Sequence, residues 1–459
     1  MARMLSALCV AAATALLAAC PSVAHATGQD FLTAEQRAAD FADFCGFVGT
    51  SYAYFDLKAT DWARVCTFHA PRATTASRRS DYVAVLERAL AELYDAHAHL
   101  GTHTPSSYRL VPSQTDLFAR WQDGRALILA VRAGSGAALA GLLPGMEVVT
   151  LNGESIQAAV SAIEPKFLAR DDASARDWAL QVALAGRHEQ TVTRLVVRVG
   201  GALRDFEFVA RQAEPGPALS ARAIGTVGYV RIHDALGRQA LVQAFDQALT
   251  ELRDTHALVI DLRDTPSGGT SAVARGIMGR LVTRMLPYQR HELLSEQRAN
   301  GIRRVWEEYV APRGAPYLKP IVVLVGRWTG SMGEGLAIGL HATRGAAVLG
   351  QPMAKLLGAI DETVLPHSKI AVRVPVEKLF HVDGTPREAV LPCIAAAAGS
   401  DAAAQDRELS AAVAFASGLG KARAKLPLQP GCLGPRPVPA SAPWRPLARP
   451  TRPSQGRLQ

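Results

Sequence analysis

The sequence lacks a glycine-rich phosphate-binding motif, a haem-attachment motif and any internal repeat. Nothing in it therefore points to nucleotide-driven chemistry, haem electron transfer or a solenoid. Its one long apolar run, residues 4–19, is shorter than the roughly 20 residues a membrane-spanning helix needs. The last segment, 421–459, lacks any Asp or Glu while carrying eight Lys/Arg. Together with Arg3 these account for the whole formal charge of +9, which leaves residues 27–420 neutral. A neutral body presents no basic face for phosphates, so a nucleic-acid partner is excluded. The tail also holds nine prolines ("RPVPASAPWRPLARPTRP" in part), a composition that builds no packed element.

The apolar run follows Arg3, as in a secretory leader. Two processing signals compete: "AHA" before Thr27 suits signal peptidase, and "LAAC" ending at Cys20 suits lipid attachment. Ordinary cleavage, with 1–26 as signal peptide, is preferred. Either route exports the protein, most plainly to a bacterial periplasm, with membrane attachment only through a lipidated Cys20. Beyond the leader there are four cysteines. An even number in an exported chain suggests two bridges, and local pairing gives Cys45–Cys66 and Cys393–Cys432.

At 459 residues the chain is long enough for two or three domains. Residues 27–108 show helical spacing, with Ser80 or Asp81 as N-cap of "YVAVLERALAEL". Residues 109–212 turn to short strands: "RALILAVRAG", then small residues, a Pro-Gly turn, "EVVTL", an Asn-Gly turn, and a hairpin centred on Gly200-Gly201. From 213 to 420 apolar strands ("VGYVRI", "ALVIDLR", "PIVVLVG", "AAVLG") alternate with helical stretches near 236–254, 271–284 and 332–343. That alternation is the signature of a mostly parallel α/β sheet, whose sites lie beyond the C-terminal strand ends. The fold class is thus α/β multidomain, followed by the basic tail at 421–459.

Four segments carry candidate chemistry. In "VVLVGRWTGSMGEGLAIGL" a strand, a turn and a helix set Ser331 at a helix N-terminus. There the Met332 N–H is available to a developing oxyanion. The same position reads equally as an N-cap, with Glu334 completing a capping box. In "ALVIDLRDTPSGGTSAV" a buried strand ends at Gly268-Gly269, which let backbone approach a ligand; Ser267 and Ser271 are further hydroxyls. "YDAHAHLGTH" offers His97, His99 and His103. No further Cys, His or Asp nearby completes a metal set, so a base is the better use and no metal is expected. "VPVEKLFHVDGTPREAVLP" places Glu388 beyond a turn.

Taken in this order, the four segments resemble the tail-specific, or C-terminal-processing, serine peptidases, particularly their tricorn-like branch, over roughly 82–394. The family's "Asp-Leu-Arg…Gly-Gly" is matched by "DLRDTPSGG". Its nucleophile with Glu three residues on is matched by Ser331 and Glu334, and its late "Pro-Val…Asp-Gly…Glu…Pro" run is matched as well. The strand-rich segment 109–212 is similar to a PDZ domain. Met146 stands where that domain usually has Asp, and no Gly-Leu-Gly-Phe loop is present.

The resemblance implies a helical module, a PDZ-like β-rich domain and a crotonase-like ββα peptidase domain. It implies a serine endopeptidase that acts on proteins or peptides and needs no cofactor. By position, Ser331 would be the nucleophile, His97 its base, and Glu388 the group that orients or charge-stabilises that base. Gly268, Gly269 and Met332 would form the oxyanion hole. Ala96 stands where the branch often has a relay serine. The other branch uses a lysine base, for which Lys355 is the candidate, one residue out of step. A catalytically impaired peptide-binding protein is a further reading.

Overall fold

The computed structural model describes residues 31–210, 216–393, 402–419 and 432–435. The leader with Arg3 and Cys20, and most of the basic tail, lie outside the described residues.

Helices Ala34–Ser51, Trp62–Thr75 and Arg79–Ala91 form the N-terminal unit. Thr33 and Gln36 close a capping box on the first, and Asp61 caps the second. Cys45 is bridged to Cys66, stapling these two helices as the local pairing predicts. The third helix starts earlier than expected. Arg78, not Ser80 or Asp81, is its N-cap, and the Asp81 carboxylate pairs with Arg78 at 2.7 Å instead of capping a backbone N–H.

This unit has no closed core of its own. Phe44, Val48, Tyr52, Tyr54, Tyr82 and Leu86 are buried together with Val372, Val374 and Val376 of strand Ala371–Phe380. Burying each aromatic contributes roughly 2–3 kcal/mol. The docking continues as main-chain pairing, for His99–Leu100 runs antiparallel to that strand with His99 opposite Arg373.

Residues 117–208 form a separate antiparallel sheet, in the order Leu117–Gln122, Arg125–Val131, Glu147–Leu151, Thr193–Val199, Ala202–Phe208. Gly200 and Gly201 make its terminal hairpin, Val199 facing Ala202. Helix Ala173–Ala185 packs on its edge strand, Leu117–Gln122.

The remaining chain builds a five-stranded sheet in the order Ala347–Gly350, Ile321–Val325, Ala257–Asp261, Val227–Ile232, Leu219–Ile224. All its pairs are parallel except the last. Strand residues alternate between two cores. One lies under helices Ala240–Glu251, Ser271–Met278 and Met332–Arg344, the other under Ala402–Gly418. The outer strand Ala347–Gly350 is covered by the C-terminal segment: Val348 donates its N–H to Leu433 at 3.0 Å and accepts the Cys393 N–H at 2.8 Å. Cys393 is bridged to Cys432 there. A second antiparallel sheet joins Ala371–Phe380 to Leu286–Leu293, Arg304–Val310 and Ala359–Val364. Its Leu286–Leu293 and Arg304–Val310 strands have no counterpart in the sequence reading.

Candidate active site

The strands Ala257–Asp261 and Ile321–Val325 are neighbours, and their continuations stay paired. Asp264 and Thr265 run parallel to Trp328 and Thr329. This short pairing delivers Gly268 and Ser331 to the same point beyond the strand ends. A Cβ placed on Gly268 (φ 63°) would lie 2.4 Å from the Ser331 Cβ and 2.9 Å from its Oγ, so only glycine allows the approach.

Ser331 itself has φ 51° and ψ −117°, a left-handed conformation that is strained for a serine. It opens helix Met332–Arg344. The capping box is present in outline, but its hydroxyl side is loose, since the side chain makes no cap hydrogen bond. Ser331 N–H donates to the Glu334 carboxylate at 3.0 Å, while Glu334 N–H donates to the Ser331 carbonyl at 3.0 Å. Among the described residues no acceptor takes the Met332 or Gly269 N–H, whereas the Gly268 N–H is held by the Thr265 carbonyl at 3.2 Å. Ser267 is also engaged, through its N–H and hydroxyl, by Asp234 at 2.8 and 2.6 Å.

Glu334 is fully enclosed and ties this turn to a second segment. Its carboxylate accepts the N–H groups of Lys355 (2.9 Å) and Leu356 (3.1 Å) as well as that of Ser331. Burial pushes its carboxyl up to about 7, against the pull of Arg387 and the three N–H donors. Residues 355–358 thus form a strap across the site, and the next carbonyl along it holds His97. Nδ1–H of His97 donates to Leu357 O at 2.6 Å. Asp95 accepts the His97 N–H at 2.9 Å and the Tyr52 hydroxyl at 2.8 Å, which fixes the turn that presents the imidazole. Burial lowers the His97 pKa to about 4, and the nearby Arg387 charge acts in the same direction. The ring is neutral at pH 7. With the proton on Nδ1, Nε2 carries the lone pair. No hydrogen bond joins His97 to Ser331 in this structure.

The other histidines diverge from the site. His99 donates to or accepts from nothing near Ser331, its Nδ1 lying 3.0 Å from His97 O, and His103 stacks on His188 with ring centres 4.0 Å apart. Lys355 adopts φ 63° and exposes its side chain, and no hydrogen bond joins its Nζ to Ser331. Glu388 lies in the short helix Arg387–Ala389, with burial raising its carboxyl and Oε2 buried without a hydrogen-bond partner. It does not hold His97, whose Nδ1 is occupied by the strap.

Sequence reasoning missed Arg387. This buried guanidinium donates to Leu356 O (2.8 Å) and Gly358 O (2.9 Å), the carbonyls on either side of the one that orients His97. Its adjacency to Glu388 was the one available signal. An arginine in a late loop carries no local pattern that distinguishes a buried clamp from a solvated side chain.

Residues 226–394 match the family model for peptidase family S41, and residues 33–91 match that for the Tricorn protease C1 domain. No curated protein matches the chain. Among solved structures, mature CPAF complexed with lactacystin is 15% identical, with 84% of this chain and 98% of that chain covered and a TM-score of 0.53. The photosystem II D1 C-terminal processing protease is 18% identical, with 78% and 92% covered and a TM-score of 0.50. These likenesses are of fold.

Proposed function

Since the chain carries a family S41 peptidase domain and is a serine peptidase acting on proteins or peptides, we propose that it is an exported endopeptidase. In this reading Ser331 is the nucleophile, His97 its base, and the Met332 and Gly269 N–H groups the oxyanion hole. The observation that carries this is the strained Ser331 backbone at a helix start whose first N–H has no acceptor. A simple cap would need no such conformation.

Ser331 Oγ attacks the scissile carbonyl while its proton passes to His97 Nε2. The resulting oxyanion lies against the Met332 and Gly269 N–H groups, each donor worth about 3 kcal/mol of barrier. His97 then gives the proton to the leaving amine, and water, activated by the same nitrogen, releases the acyl group. The Leu357 carbonyl does the orienting that a carboxylate does in many triads, and Arg387 keeps that carbonyl in place. Glu388 contributes charge from beside the strap, not contact. The Ser331–His97 hydrogen bond closes when substrate binds, as catalytic bonds in free enzymes often do.

Export rests on the leader and on two disulfides, which suit an oxidising compartment. Among the described residues no helix is long and apolar enough to cross a membrane. The antiparallel sheet at 117–208 is read as PDZ-like. A fluorophosphonate probe tests the assignment: it should label the wild type, and Ser331→Ala should abolish both labelling and peptide turnover. Turnover surviving that substitution would refute it, and an unlabelled wild type would leave a peptide-binding protein.

A further inference from the structure

We propose that His291 is a positioning residue for the peptidase reaction. Held as an imidazolium between Glu308 and Glu377, it locks the strand beneath the nucleophile helix to the strand against which the 355–358 strap rests. The inference rests on the peptidase reading, and the residue acts through other groups, not on the reacting atoms.

His291 lies in strand Leu286–Leu293, only 7% exposed, on the same face as Gln289. Strand Arg304–Val310 sets Glu308 opposite Gln289 and Trp306 opposite His291, and strand Ala371–Phe380 sets Glu377 opposite Leu293. The ring reaches both carboxylates: Nδ1 lies 2.7 Å from Glu377 Oε2, and Nε2 lies 3.4 Å from Glu308 Oε2. Trp306 stacks on it with ring centres 5.0 Å apart. Three strands therefore meet at one imidazole.

Each flank of this cluster abuts one half of the candidate site. A Cβ on Gly335, in the first turn of the nucleophile helix, would lie 3.0 Å from Gln289 Oε1 and 2.5 Å from Met332 Cε. Gln289 thus packs where the oxyanion donor Met332 is seated. On the other flank Glu377 pairs with Ala359, the first residue past the strap, and a Cβ on Gly358 would run into the Glu377 carbonyl. The packing from Gly335 through Gln289, His291 and Glu377 to the strap joins the nucleophile half to the base half. It does so without passing through Ser331 or His97.

Proton placement makes this link depend on charge. Glu377 accepts the Nδ1–H, so a neutral ring carries its lone pair on Nε2, facing the Glu308 carboxylate. Gln289 Nε2, 3.1 Å from that nitrogen, is a donor to a neutral ring only. A charged ring donates to both carboxylates, and a turned Gln289 amide offers it Oε1, which is buried without a partner as it stands. Burial opposes the charge, but the two carboxylates outweigh it and raise the His291 pKa. Glu308 is itself fixed by the Tyr288 hydroxyl and by Arg275 at 3.3 Å, whereas Glu377 has no other ion-pair partner among the described residues. Arg304 lies 5.3 Å from the Trp306 ring centre, and strand alternation turns Arg290 and Glu292 to the opposite face. The lock is complete while the ring is charged, and it weakens as pH rises through the raised pKa.

The test uses the full chain and a peptide with blocked ends and no ionisable side chain. Turnover is followed from about pH 6 to 10 beside Trp306 emission, which a charged imidazole stacked on the indole quenches. Emission should rise as the ring deprotonates, and Trp306→Phe should abolish that change. On the same limb kcat should fall, with KM nearly constant. Glu377→Gln removes one countercharge, so it should move the limb and the emission change together, by about one pH unit, to lower pH. A merely structural residue would lower activity equally at every pH. His291→Gln should lower kcat about tenfold at neutral pH and lose the limb; where it does not fold, the Glu377→Gln shift decides alone. A limb that Glu377→Gln leaves in place, a limb apart from the emission change, or no limb above the ordinary histidine range overturns the inference. A wild type that takes no fluorophosphonate probe overturns the peptidase reading instead.

Discussion

Ser331 and Gly268 meet because two adjacent parallel strands continue as a short paired ribbon, so their approach is set within one rigid sheet. His97 arrives differently. It is carried by a helical unit that completes its core only by docking on strand Ala371–Phe380, and it is then suspended from one carbonyl of the 355–358 strap. The nucleophile half of the candidate site is thus built by local backbone geometry, and the base half by long-range packing. A site assembled this way should fail asymmetrically. Damage to the strap or the docking face should remove base catalysis while the Ser331 turn stays folded.

After loss of the Ser331 hydroxyl itself, the most severe break is at the imidazole. His97→Gln should lower kcat by about 10³-fold or more in a peptide assay, with the fold retained by circular dichroism. An effect under tenfold would mean that the base lies elsewhere. Next comes the strap. A Cβ on Gly358 (φ 55°) would meet the Glu377 carbonyl at 2.2 Å and the Tyr54 ring at 2.8 Å. Gly358→Ala should therefore destabilise by about 2 kcal/mol and reduce kcat more than it alters KM. A third variant separates stability from geometry. Replacing Cys45 and Cys66 by serine should cost the helical unit about 3 kcal/mol in urea melts, with little change in activity at 25 °C.

The smallest effect sharpens the comparison. The base must be neutral to accept a proton, so activity is present above its pKa and is lost as pH falls through it. Burial sets that value for His97 toward about 4, so kcat/KM should hold down to well below the ordinary histidine range. An acid limb near 6.5 would show the ring exposed in the free enzyme, and one above 8 would transfer the role to Lys355.

What the sequence made legible follows the same division. The strand–turn–helix around Ser331, the paired glycines, the Gly200-Gly201 hairpin and the two cysteine pairs are all short-range patterns, and the structure forms each of them. The strap could be seen only as an ill-fitting lysine motif, because its function lies in main-chain atoms that any residue supplies. Arg387 escaped notice because its partners, Leu356 and Gly358, lie on a different segment. Strands Leu286–Leu293 and Arg304–Val310 were obscured by their polar composition. The first buries polar residues such as Gln289, His291 and Glu292 among its apolar ones, the second buries only Val310, and charges pair across the strands, as His291 does with Glu308.

The covering of strand Ala347–Gly350 has a further effect. Its outer hydrogen-bonding groups at Val348 are engaged by Cys393 and Leu433, and the Cys393–Cys432 bond keeps those two segments together. Cutting that bond would loosen the cover over this wholly apolar strand and leave a rim suited to joining another copy's rim. Oxidation at this end of the sheet thus bears on solubility as well as on folding strength, and thiol reductants should turn a dispersed protein into one that self-associates.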